Sequence, residues 1–203
     1  MKSSFPLIED ALLQLLTVKS LDHISVQEVC ARAGVSRQTL YYHYESLSDV
    51  FFSWMHRSIR EEMGENVTYE SWAEGFRIIL NFCARNRTVV LHVYHSSYRP
   101  ECRRLSIDRG SRLIRDAIQQ SSTDFNLPMV KKDEDFMVNF YTDAFLGLLI
   151  RFFDGDMKEN PEYIVSRSEL MMEHSIRETQ RKFYDFYKCD IMSKQSGKNV
   201  ADN

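Results

Sequence analysis

Between residues 24 and 50 the chain reads ISVQEVCARAGVSRQTLYYHYESLSDV, and a single glycine in that stretch constrains everything around it. Ser25 is followed three residues later by Glu28, the spacing of a capping box, so the sequence predicts a helix from Val26 to about Ala33. Gly34 ends that helix, because the C-terminal turn favours a left-handed residue without a Cβ. Ser36 offers the next N-cap oxygen, and Arg37 to about His43 make a second short helix with Leu40 and Tyr44 facing inward. Two short helices joined by a tight glycine turn form a helix-turn-helix.

The flanking chain reads as helix throughout. Leu7, Ile8, Ala11, Leu12, Leu15 and Leu16 repeat at three- and four-residue spacing, the apolar stripe of an amphipathic helix, and Pro6 suits its first turn. Ser46 or Ser48 can cap a longer fourth helix carrying Val50, Phe51, Trp54, Met55 and Ile59 on its apolar side. Further helices are expected near 69–85, 87–97, 101–121, 131–153 and 161–188, the last opened by Asn160 and Pro161. With 7 Gly and 4 Pro in 203 residues there is too little punctuation for a many-stranded fold, so the fold class is all-α. The expected division is a head over 1–48, a larger helical domain over 49–190, and a polar, aperiodic, mobile tail over 191–203.

Several function classes find no support. The N-terminus lacks an apolar signal region and no stretch of about 18 consecutive apolar residues occurs, so a cytoplasmic protein with no membrane contact is expected. Cys30, Cys83, Cys102 and Cys189 lie far apart, as reduced cytosolic thiols do. No phosphate-binding glycine loop, nucleophile elbow or HExxH motif occurs, so no enzymatic activity and no cofactor are expected. His92, His95 and Cys102 invite a metal reading, but they lack a repeated ligand spacing and read as packing or surface residues. Asp154, Asp156 and Glu159 lack the order of a calcium loop and read as a solvated turn.

In a helix-turn-helix the second helix enters the major groove, so its solvent face carries donors and acceptors. Arg37 and Gln38 sit at its first turn, within reach of base edges, where Arg suits guanine and Gln adenine. Thr39, Tyr41, Tyr42 and His43 suit phosphate oxygens, and the helix start at Ser25 to Gln27 presents backbone N–H groups to another. Charge argues the other way: the chain carries −3, and over residues 1–50 four basic side chains meet six acidic ones, a net −2.

The run from Ile24 to Val50 resembles the DNA-binding module of TetR/AcrR-type transcriptional regulators, in which a capped helix, an A-G-V-S turn and a T-L-Y-x-H-aromatic step follow in order. The segment from Phe140 to Met171 resembles the last two helices of such proteins. The resemblance implies an all-α homodimer on a palindromic double-stranded operator, more often a repressor than an activator, answering to a small-molecule effector. It places DNA contacts on Ser25, Gln27, Ser36, Arg37, Gln38, Thr39, Tyr41, Tyr42 and His43. The family's phosphate-touching lysine early in the fourth helix is Leu47 here, preceded by Glu45, which weakens the expected affinity.

Trp54, Met55, Trp72, Phe76, Phe82, Tyr94, Tyr98, Phe136 and Tyr141 are the candidates to line an effector pocket, with Arg87 and Arg99 available for an anionic group. Phe140, Ala144, Gly147, Leu148, Phe152, Ile164, Met171 and Met172 are the candidates for the dimer interface. The competing reading is a regulator-like protein that has lost operator binding and works through a protein partner. Leu47, Glu45 and the acidic head favour it, while Arg37, Gln38, Tyr41 and His43 oppose it.

Overall fold

The structure, a computed structural model, describes residues 4–64, 71–172 and 174–198, with side chains as far as residue 188. Among them every regular element is a helix: α1 (Ser4–Leu16), a 3-10 turn (Leu21–His23), α2 (Val26–Ala33), α3 (Arg37–His43), α4 (Leu47–Met63), α5 (Trp72–Arg85), α6 (Arg87–Tyr94), α7 (Arg99–Asp124), α8 (Lys131–Asp154), α9 (Pro161–Met172) and α10 (Ser175–Lys198).

Helices α1 to α3 make the head. Ile8, Ala11, Leu12, Leu15 and Leu16 bury against Val29, Cys30 and Leu40, whereas Leu7, at the edge of the stripe, is 43% exposed. Helix α4 leads from the head into the larger body, with Val50, Phe51 and Phe52 buried. Ser46 is its cap, accepting the Asp49 N–H at 3.1 Å, while Ser48 is buried and donates to Glu101 of α7 at 2.9 Å. One continuous apolar core joins the head to α5, α6, α9 and the C-terminal half of α8. A second core of Ile118, Met137, Val138 and Tyr141 lies at the far end, where α7, α8 and α10 meet.

The helix expected over 161–188 is two helices. The backbone turns at His174, which has a left-handed φ of 59°. The turn serves two packings that one straight helix cannot meet: α9 lies against α5, and α10 turns back on α7. There Gln180, fully buried, accepts from the Ser121 hydroxyl at 2.6 Å and donates to the Ile118 carbonyl at 2.9 Å. Helix α10 runs on to Lys198, so the segment expected as an irregular tail from 191 is helical that far. Propagating a nucleated helix needs no apolar stripe, and no Pro interrupts the segment. Residues 199–203 lie outside the described residues. By length and mean hydropathy α8 alone among the described helices is apolar enough to cross a membrane; in the fold it packs along α7.

Candidate nucleic-acid interface

The turn between α2 and α3 is built as its sequence dictates. Ser25 sits in extended backbone and its Oγ accepts the Glu28 N–H at 3.2 Å. Gly34 closes α2 in the left-handed region at φ 67°, and the Val35 N–H returns to the Cys30 carbonyl at 3.0 Å. Ser36 then caps α3, accepting from the Thr39 N–H at 3.0 Å and bonding the Thr39 hydroxyl at 2.8 Å. Ser36 and Thr39 are thereby partly committed to holding the helix start.

Helix α3 has one buried side chain, Leu40, and its other face is open. Tyr41 is 57% exposed and Tyr42 is 83% exposed, with Arg37, Gln38 and His43 also at the surface and Thr39 half-buried. Two neighbouring exposed tyrosines on a seven-residue helix present ring faces together with hydroxyl donors. Gln27, on α2, accepts from Arg37 Nη2 at 2.9 Å, so the two candidate contact residues form one unit.

Tyr44 faces inward as its phase requires. Its hydroxyl donates to Glu9 Oε1 at 3.0 Å, and Glu9, 1% exposed on α1, is also gripped by both terminal nitrogens of Arg57 from α4. The Phe5 ring stacks on Tyr44 with centroids 5.7 Å apart and lies under the Arg57 guanidinium at 4.5 Å. Burial, then the Glu9 carboxylate, pushes the Tyr44 phenol well above its ordinary range, so it stays a donor. This network fixes the end of α3 to α1 and α4. Sequence reading missed it because residues 5, 9, 44 and 57 carry no local pattern that relates them.

The acidic residues of the head are largely spent on internal partners. Glu9 holds Arg57, Glu28 takes both oxygens to Lys19 at 2.7 and 2.9 Å, and Asp22 accepts from the N–H and hydroxyl of Ser97 in the body. His92 adds a second link, its Nδ1 lying 2.7 Å from the Leu16 carbonyl at the end of α1. Leu47, at the lysine position of the resemblance, is 7% exposed and belongs to the core. Glu45 is at the surface.

The aromatic residues expected around an effector pocket mostly fill core. Trp54 lies 5.3 Å from Phe82, Trp72 lies 5.3 Å from Phe145, and Phe76 lies 5.1 Å from the same ring. Phe76, Phe82 and Tyr94 are buried, and Met55 and Tyr98 pack against that core. Tyr141 belongs to the second core, and Phe136 is 64% exposed on α8. A cleft of about 380 Å³ opens instead between α6, α7 and α8, and of the nine expected residues only Tyr94 lines it. Of the two arginines considered for an anion, Arg99 lines this cleft and Arg87 donates to the Asp156 carbonyl at 2.7 Å.

The dimer candidates divide in the same way. Phe140 and Met171 are 61% and 84% exposed, Ala144 is at the surface, and Gly147, Leu148 and Met172 are half-buried. Phe152 and Ile164, at 1% and 7% exposure, belong to the chain's own core and have no area left for a partner. Exposed Phe136, Tyr163, Leu170 and Phe186 enlarge the open apolar surface of α8, α9 and α10.

His92 faces α1, and His95 lies 3.7 Å from Asp156. No group of three or more possible metal ligands occurs among the described residues. Cys30, Cys83 and Cys102 are free thiols, and the Cys189 side chain lies outside the described residues. Asp154 is more than a solvated turn residue, since it accepts from Tyr94 and Arg99 at 2.8 Å each.

Comparison with known proteins agrees with this geometry. The family model described as bacterial regulatory proteins, tetR family, matches residues 8–53, and one described as transcriptional regulator C-terminal region matches residues 70–174. No curated protein matches by sequence. Among solved structures the chain is similar to the dihydroxyacetone kinase operon activator DhaS, with a TM-score of 0.64 at 14% identity over 86% of this chain and 96% of that one. At that identity the likeness concerns the fold. With an N-terminal helix-turn-helix and a C-terminal region that each match, over half the chain in the second case, this protein belongs to the TetR family of transcriptional regulators, with its DNA-binding domain at the N-terminus.

Proposed function

We propose that the protein is a cytoplasmic, ligand-responsive repressor that binds a palindromic operator as a homodimer. The observation that carries this reading is the outer face of α3, where Arg37, Gln38, Tyr41, Tyr42 and His43 stand open while Leu40 and Tyr44 anchor the helix from behind. Arg37 and Gln38 read base edges. Tyr41, Tyr42, His43 and Thr39 meet phosphates, with Ser25 and Ser36 supporting the two helix starts. Gln27 serves mainly to aim Arg37. The negative count over the head is offset at one position, where Glu9 is paired with Arg57 of α4 from beyond the counted residues.

We take the reading head as residues 1–48 and the effector and dimerisation domain as the helices that follow. The dimer forms through Phe140, Ala144, Gly147, Leu148, Met171 and Met172, joined by Phe136 and Leu170. Two heads then reach successive major grooves about 34 Å apart or a multiple of that.

A salt titration on genomic duplex DNA tests the reading, with a negative slope of log affinity against log salt expected from phosphate contacts. A second reading, a partner-binding co-regulator without operator contact, is favoured by the buried Leu47 where the resemblance expects a lysine. It predicts binding to DNA that is weak and indifferent to sequence.

A further inference from the structure

We propose that the cleft between α6, α7 and α8 is the effector site and that it takes an amphipathic anion, an apolar chain ending in a carboxylate; this deepens, and rests on, the ligand-responsive reading above. At about 380 Å³ the cleft lies toward the small end of ligand pockets. Helix α8 supplies apolar lining with Leu149, Ile150 and Phe153, and α7 supplies Arg99, Cys102 and Arg103.

The two arginines differ. Arg99 is already neutralised, donating to Asp154 and to the Tyr94 hydroxyl at 2.8 and 2.7 Å with its guanidinium 4.5 Å above the Tyr94 ring. Arg103 lines the same cleft and has no hydrogen bond, ion pair or ring contact with any described residue. A guanidinium without a counter-charge beside an apolar cavity is complementary to a carboxylate with an apolar chain. Burial pushes the neighbouring Cys102 thiol up to about 12, so it remains neutral and adds no competing charge.

Helix α7 also joins this cleft to the reading head. Glu101 and Arg109, eight residues apart on one face, hold the start of α4: Glu101 accepts from Ser48 at 2.9 Å, and Arg109 donates to the Phe52 carbonyl at 2.9 Å. Just before α7, the Ser97 hydroxyl donates to Asp22 of the head at 2.6 Å. The cleft residues Arg99, Cys102, Arg103 and Ser106 occupy the adjoining face of the same turns. A ligand that displaces α7 therefore displaces its two holds on the start of α4, while His92 of α6 still ties the end of α1 to the body. On α8 the exposed stripe of Phe136, Phe140 and Ala144 shares no residue with the cleft, and of the proposed interface only Gly147 and Leu148 adjoin the cleft-lining Leu146 and Leu149.

Calorimetric titration of the full chain with decanoate and with decanol tests the site. Decanoate is expected to saturate one site per chain, and Arg103→Ala to weaken it about tenfold while leaving decanol binding unchanged, as loss of one charge-assisted hydrogen bond requires. Arg103 is exposed, so this variant keeps its fold, which circular dichroism verifies. Leu149→Trp, which fills the cleft, is expected to abolish binding of both compounds. Equal affinities for the two compounds, or a decanoate affinity indifferent to Arg103, would overturn the anion site and leave DNA binding by the unliganded protein standing. Ser48→Ala combined with Arg109→Ala, which removes both holds of α7 on α4, is expected to keep decanoate binding and lose its effect on DNA affinity; an unchanged effect would overturn the route through α7. If the unliganded protein shows no salt-dependent DNA binding, the regulator reading fails while the calorimetric result stands.

Discussion

Gln27 Oε1 accepts a hydrogen bond from Arg37 Nη2 at 2.9 Å, so the residue proposed to read a base is held by a side chain from the preceding helix. Both side chains lie at the surface, where an unpaired arginine samples many rotamers. The bond restricts that freedom before DNA arrives, and a contact made by a pre-aimed guanidinium loses less entropy on binding.

Arg37→Ala is expected to lower affinity for the operator by about 1–3 kcal/mol and to relax base preference at one position in each half-site. Gln27→Ala should cost about 1 kcal/mol on the same operator and leave the preferred base unchanged. Competition binding against random duplexes decides the matter. Equal losses on specific and random DNA would make Arg37 a phosphate contact only.

The Glu9, Tyr44 and Arg57 network sets the orientation of α3, and its members should differ in what they contribute. Tyr44→Phe removes one hydrogen bond to a buried carboxylate and is expected to cost roughly 1–2 kcal/mol in urea unfolding. Arg57→Ala leaves Glu9 without its counter-charge and should cost more, roughly 2–3 kcal/mol, with the value held down by the 36% exposure of Arg57. If Arg57→Ala proves the milder of the two, the carboxylate is solvated and the network does not hold the head.

Asp22 gives the link between head and body a defined pH response. The hydroxyl and backbone N–H of Ser97 hold its carboxyl below the ordinary aspartate value of 3.8. A depressed carboxylate stabilises the fold above its unfolded pKa and loses that contribution as pH falls through the folded one. The attachment is therefore expected to be fully present at neutral pH and to fail only below about pH 4, with Asp22→Asn flattening that part of the profile. Thermal unfolding from pH 7 to pH 3 measures it, and an equal acid loss in Asp22→Asn would assign the response to other carboxylates.

Phe140 and Phe152 occupy the same helix at 61% and 1% exposure, so one face of α8 is open while another is core. Phe140→Glu is expected to yield a folded monomer by sedimentation. Phe152→Ala should instead destabilise each chain by about 3–5 kcal/mol. A Phe140→Glu protein that remains dimeric at micromolar concentration would move the interface elsewhere.

The parts of this fold that were legible in the sequence are those written locally. Capping at Ser25 and Ser36, the glycine turn at Gly34 and the inward phase of Leu40 and Tyr44 all depend on residues within a few positions of each other. The break at His174 was not legible, because it answers to α5 and α7, which are distant in sequence. Nor was the aromatic pocket: helical spacing places Trp54, Phe76 and Phe82 on apolar faces, but whether those faces close on one another or on a cavity depends on how three helices pack. Arg103 escaped notice since nothing in its neighbourhood distinguishes it from solvated Arg104 until α8 is laid alongside.

Leu47 separates what the resemblance implies from what the packing permits. The family pattern expects a lysine there that touches a phosphate, which suggests that Leu47→Lys would tighten binding to any duplex. In the structure Leu47 opens α4 with its side chain 7% exposed in the core shared by the head and the body. A lysine at that position must either bury its ammonium or withdraw its stem from the core to reach water. Either route removes apolar packing at the junction of α3 and α4, so Leu47→Lys is expected to lower stability by about 1–3 kcal/mol. The added positive charge then acts through a loosened head, and the net affinity for duplex DNA should fall or stay level. Melting temperature and DNA affinity measured together on this variant separate the alternatives: tighter binding to all duplexes with an unchanged melting temperature would show that residue 47 swings freely to the phosphate and that its burial is not needed to hold α3 in place.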